Sequence, residues 1–146
     1  MIYQILQIAQ LGSVKTIKVI CDDTDVFVLL VHFCSQEKLN CALIMEATSC
    51  ERISVGIQAT VKKHAAIVPN LLAAHALTGC DTVAKLQGIG KGTMINKLVK
   101  QGHAFQYLGE LDSSFDKVMA EATKFISACY GSKERDDLSK ARVELW

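Results

Sequence analysis

Aromatic side chains are scarce in this chain, only 6% of its 146 residues, while Ala, Val, Ile and Leu are abundant. That scarcity argues against an aromatic-rich β-sandwich and for helices packed on a buried parallel sheet, an α/β architecture. Long hydrophobic runs are missing too: the longest strongly apolar stretch, Val26 to Val31, is far too short to span a bilayer. No basic segment followed by an apolar run and a small-residue cleavage site opens the chain. A nuclear or cytoplasmic protein with no membrane partner is therefore expected. Excess charge is absent as well, because a formal net charge of +1 implies neither nucleic acid nor an anionic membrane by itself. Cys21, Cys34, Cys41, Cys50, Cys80 and Cys129 form no CxxC pair and no spacing that would set four ligands around zinc. They read as reduced core residues. The sequence holds no internal repeat and no low-complexity linker, and its length suits one sizeable core better than two ordinary domains.

What is present is a succession of short apolar segments. Ile2, Ile5, Leu6, Ile8 and Ala9 have helical spacing, with Gly12 placed to end that helix. Thr16 to Cys21 (TIKVIC) is β-branched and short, and it runs directly into Asp22-Asp23-Thr24-Asp25. This is the pattern of a buried strand delivering acids at its carboxyl end, where α/β sites usually lie. Val26 to Phe33 has a strand-like composition, but so short an apolar run fits a buried helix equally well. Cys41 to Met45 and Ile53 to Val55 read as further strands, and Gln58 to His64 as a helix. Pro69 opens another helix that Thr78-Gly79 stops. A helix resumes through Met94, Ile95, Leu98 and Val99. Asp112-Ser113 can cap a long helix reaching Gly131, and Glu134 to Trp146 begins one more.

The chemistry concentrates at three places. Asp23 and Asp25 stand two apart, a spacing that can aim both carboxylates the same way, and Asp22 adds a third acid. Hard cations such as magnesium or manganese want oxygen ligands of this kind, although an Asp-rich turn is more often a loop or helix cap. Between Glu51 and Glu110 lies a single acid, Asp81, among Arg52, Lys62, Lys63, Lys85, Lys91, Lys97 and Lys100. Such a basic surface suits a phosphate backbone, since each neutralised phosphate releases counterions; a solvated face is the competing reading. Within it, Gly88-Ile89-Gly90-Lys91-Gly92-Thr93 leads into a helix and offers backbone N–H groups and a positive helix end to phosphate oxygens. A Walker A loop is excluded because Gly92, not Ser or Thr, follows Lys91. A dinucleotide fingerprint is excluded because position 93 is Thr.

These segments carry a resemblance. ICDDTDVFVLL (Ile20 to Leu30) followed by AHALTGCDTVAKLQGIGKGTMINKLV (Ala74 to Val99) resembles the flap-endonuclease and XPG-like group of the PIN superfamily, over roughly residues 1–101. In that group an Asp-x-Asp at a strand end precedes a Gly-x-Asp turn and then a Gly-Ile-Gly hairpin in a helix-hairpin-helix module. The resemblance implies a PIN-like α/β core remnant over 1–68, with Val26 to Phe33 helical, a helix-hairpin-helix segment over 69–101 and further helices over 102–146. It also implies that Asp23, Asp25 and Asp81 are catalytic metal ligands, with Asp22 beside them. Gly88, Ile89, Gly90, Lys91, Gly92, Thr93 and Lys97 would hold the backbone of a branched or nicked DNA duplex, with a potassium ion at the hairpin. The implied chemistry is magnesium- or manganese-dependent phosphodiester hydrolysis. The segment HALTGCDT is also similar to transposon-associated animal proteins.

The sequence departs from the family in its acids. The family carries an aspartate on its first strand, which would lie upstream of Met1, and glutamates on a helix before the Asp-x-Asp strand. Here that helix reads MIYQILQIAQ, without an acid. Two other functions therefore stand beside the nuclease: a non-catalytic nucleic-acid-binding domain, and an α/β interaction module with vestigial motifs. His32, His64, His75 and His103 have no Ser or Cys partner at a suggestive spacing, so a nucleophilic triad is unsupported. Glu46, following a strand, is a minor candidate for an extra ligand.

Overall fold

The computed structural model describes residues 1–48, 53–102, 105–131 and 137–143. Two compact units divide at Val68 and Pro69.

The first unit, residues 1–68, begins with α1 (Ile2–Gln10), which buries Ile5 and Ala9. The helix ends before Gly12, whose φ of 68° turns the chain toward β1 (Thr16–Ile20). The ambiguous apolar run resolves as helix α2 (Thr24–Gln36). The Asp23 carboxylate accepts the Asp25 N–H at 2.8 Å, so the helix starts with an N-cap that the apolar periodicity does not reveal. β2 (Ala42–Glu46) returns parallel to β1, pairing Thr16 with Ala42 and Ile20 with Glu46. β3 (Ser54–Gly56) then pairs antiparallel to β2, giving a three-stranded mixed sheet in the order β1-β2-β3.

The fold is thus α/β, but its sheet is not wholly parallel as expected. Only residues 47–53 connect β2 to β3, and a parallel crossover needs a dozen or more residues. α3 (Ile57–Lys63) follows directly, and one of its side chains finishes the sheet. Beyond the point where β3 stops pairing, Gln58 Oε1 accepts the Leu43 N–H at 3.0 Å and Gln58 Nε2 donates to the Cys41 carbonyl at 2.9 Å. The carboxamide takes the place of one more strand residue. Val19, Leu30, Val31, Leu43, Met45 and Ile57 form the apolar interior.

The second unit, residues 69–146, takes up the body of α4 (Val68–Leu77). Pro69 lies in that helix's first turn, where a missing N–H costs little. α5 (Lys91–Gln101) ends at left-handed Gly102, and α6 (Phe115–Tyr130) ends at left-handed Gly131. The cap of α6 is Ser114 rather than Asp112-Ser113, and its side chain makes no capping bond. A carboxylate organises the segment ahead of α6 instead. Glu121 accepts the N–H groups of Gln106, Tyr107 and Leu108 at 2.7, 3.1 and 3.0 Å. α7 (Leu138–Val143) is the described part of the last expected helix. Leu71, Ala74, Met94, Leu98, Ala128 and Phe125 make this unit's core, with the Phe105 ring edge-on to Phe125 at 5.0 Å.

The cysteines divide by position. Cys41 and Cys129 are buried, whereas Cys21, Cys34 and Cys80 are half-exposed, so the reading of all six as core residues holds for two of the five described. Cys50, Arg52 and His103 lie outside the described residues.

Candidate metal centre

Past the carboxyl end of β1, Asp22 and Asp23 are exposed and Asp25 is half-buried in the first turn of α2, and the three part company there. Asp23 and Asp25 stay together, with a carboxylate oxygen of one within 4.8 Å of an oxygen of the other. Capping α2 engages one oxygen of Asp23, which leaves its second oxygen for another partner, since an ionised carboxylate offers about four acceptor sites. Asp23 is the N-cap of α2 and Asp25 lies in its first turn, at the positive end of the helix. The capping role accounts for an acid at 23 without any ion. The donor set nevertheless fits a hard divalent cation, which takes carboxylate oxygens and retains waters.

Asp22 stands apart from that pair. Its Oδ1 accepts the Thr48 N–H at 2.9 Å and its Oδ2 accepts the Thr48 hydroxyl. The Thr48 hydroxyl and then the Thr48 amide hold the Asp22 carboxyl below the ordinary aspartate range. Asp22 therefore ties the end of β1 to the segment after β2 and is not aimed with its neighbours. Glu46 is likewise committed: it is buried and pairs with Lys18 at 3.0 Å.

Beside Asp23 is an open cavity of about 330 Å³. Its lining includes Phe27, Met45, Ile53 and Val55 together with Cys21, Asp22 and Asp23. No motif announces it, because its lining comes from α2, β2, β3 and the loops between them.

In the second unit, Asp81 sits at the tip of a tight turn. Cys80 and Val83 exchange backbone hydrogen bonds at 3.0 and 3.3 Å, leaving Asp81 and Thr82 as the exposed central pair. Gly79 is required just ahead of it: its φ is 102°, and a Cβ there would lie 2.6 Å from Lys85 Cα.

The glycine segment divides into a turn and a helix start. Ile89 N–H donates to the Leu86 carbonyl at 3.2 Å, and Gly88, with a φ of 79°, occupies the position of that turn where a side chain is strained. Ile89 is buried and anchors the turn, while Gly90 is exposed and caps α5 without a side chain to offer. Lys91, Gly92 and Thr93 are thus the first turn of a helix rather than loop. The Lys91 ammonium points back along the chain, donating to the carbonyls of His75, at 3.2 Å, and Gly79. The side chain expected on phosphate is occupied with the end of α4. Thr93 and Lys97 are half-buried, and Lys62, Lys63, Lys85 and Lys100 are exposed.

Among the described residues no helix is long and apolar enough to cross a membrane. Comparison with models of known families, with curated proteins and with solved structures finds no match to this chain.

Proposed function

We propose that this chain is a PIN-like, flap-endonuclease-type module acting on nucleic-acid phosphodiesters with magnesium or manganese. The observation that carries the reading is the Asp23–Asp25 pair at the carboxyl end of β1, held within 4.8 Å of each other by the start of α2. Asp81 joins the set through the resemblance in sequence, which assigns it to the same cation. When bound, the metal supplies a water of lowered pKa and neutralises charge on the reacting phosphate. The chain's own part is to fix the carboxylates on a strand end and a helix cap. It also presents an exposed glycine turn and an uncapped α5 start to the sugar-phosphate backbone, which is gripped there without base reading.

One observation favours a second reading, a nucleic-acid-binding domain that does not cut. α1, in the place of the family's glutamate-bearing helix, contains no acidic residue, so the second cation has few ligands. Incubating a labelled flap or nicked duplex with the chain and magnesium separates the two. Cleavage abolished by Asp25→Asn and by Asp81→Ala supports the nuclease; no cleavage with salt-sensitive binding supports the binding domain. Cleavage that survives both substitutions refutes the assigned site.

A further inference from the structure

The resemblance in sequence sets a potassium ion at the glycine turn, and the oxygens found there do not suit one. Potassium exchanges its hydration shell for main-chain carbonyl oxygens, several of which must aim at one point. Two carbonyls of the turn are already engaged: that of Leu86 accepts the Ile89 N–H at 3.2 Å, and that of Gly90 accepts the Met94 N–H at 3.1 Å. The carbonyls that do converge belong to the end of α4. Gly79, with a φ of 102°, turns its N–H to the Ala76 carbonyl at 3.4 Å, so a continuing helix's donor is not given to the His75 carbonyl. His75 and Gly79 are both buried, where main-chain oxygens need partners. The Lys91 ammonium meets both oxygens, that of His75 at 3.2 Å, and the Thr78 hydroxyl adds a longer contact to His75 at 3.4 Å. Lys91 itself opens α5 at the positive end of that helix, with no acid in the first turn, a place that disfavours a cation. Its charge is held instead by the negative end of α4.

We infer that the Lys91 ammonium is a built-in monovalent cation, taking on the carbonyls of His75 and Gly79 the place that a potassium or ammonium ion would hold, so that the second unit needs no potassium. An ammonium group is a compact point charge with three donors and no acceptor, so it serves carbonyl oxygens as a small cation does. Cutting the side chain back to its Cβ removes the charge and opens the space of its stem. The same two oxygens then become a site that a dissolved monovalent cation of similar size can enter. The inference does not rest on the nuclease reading, because it concerns the stability of the second unit and no substrate.

The test is a set of thermal melts of the whole chain, at one ionic strength, in the chlorides of potassium, ammonium, lithium and tetramethylammonium, the last too large to enter. The parent should melt at the same temperature in potassium as in tetramethylammonium. Lys91→Ala should melt several degrees lower in tetramethylammonium. Potassium or ammonium, but not lithium, should restore most of that loss, rising with concentration as for a ligand that binds only the folded state. Lys91→Met, which fills the space of the stem without a charge, should lose stability and stay indifferent to the salt. A Lys91→Ala chain that folds only when potassium or ammonium is added supports the inference equally. A potassium-specific rise in the parent overturns it by revealing a separate potassium site. A Lys91→Ala chain that responds alike to all four salts, or is unfolded in every one, overturns it too. Each of these outcomes leaves the nuclease reading to be decided by cleavage.

Discussion

Lys91 donates its ammonium to the main-chain carbonyl of His75, 3.2 Å away, as well as to that of Gly79. A cation at the carboxyl end of a helix meets unsatisfied carbonyls and the negative end of the dipole. Lys91→Met should therefore cost about 1–2 kcal/mol of stability, as expected for hydrogen bonds from a charged donor, measured by urea melts. If the chain binds DNA, the same change should leave the slope of log affinity against log salt nearly unaltered. A loss of about one in that slope would mean that Lys91 does neutralise a phosphate.

Asp23 carries two duties that substitution can separate. Asn caps helices about as well as Asp, so Asp23→Asn should keep the stability of α2 while removing a charged ligand. Asp23→Ala should lose both, with about 1 kcal/mol of stability gone. Manganese affinity followed by paramagnetic relaxation, beside thermal melts, checks the separation. Asp23→Asn binding manganese as well as the parent would show that the acid at 23 is a cap only.

For Asp22 the sign of the pH dependence follows from its partner. Thr48 holds the folded-state pKa below the ordinary value of 3.8, so the Asp22–Thr48 tie contributes stability above that value. The contribution is lost as acid carries the pH down through the lower folded value. Thr48→Val should be less stable than the parent at neutral pH, and the difference should vanish in strong acid. Melts across the acid limb would expose the opposite trend if the tie does not form.

Glu121 offers the clearest mutational contrast in the second unit. Its carboxylate serves three consecutive amides, a charge-assisted arrangement. Glu121→Ala should cost about 2–3 kcal/mol and speed hydrogen exchange at residues 106–108 ahead of the α6 core. Glu121→Gln, keeping one carbonyl acceptor, should fall between. Unchanged exchange in the Ala variant would remove the carboxylate from any organising role.

How far the sequence reveals this depends on the range of each interaction. The Asp-x-Asp pair is legible because strand end and helix cap are local, and the cap signal of Asp23 also decides that Val26 to Phe33 is helix where periodicity leaves both readings open. The mixed sheet is legible in principle from the short connection after Glu46. The partners of Asp22 and Lys91 are not, since Thr48 lies 26 residues away and the carbonyl of His75 16. Only folding brings such groups together. Cys129 shows the same limit: that it lies on the buried face of α6, with its thiol pushed up to about 11 by desolvation, depends on packing that its neighbours in sequence do not specify.

The carboxamide of Gln58 has a consequence for self-association. A strand whose outer amide and carbonyl are left open is a template for any passing extended chain, and β2 would present such a template where β3 runs out. By occupying the Leu43 amide and the Cys41 carbonyl at once, Gln58 closes that template from within. A leucine in its place would fill similar space and leave the seam ready to recruit a neighbour's backbone.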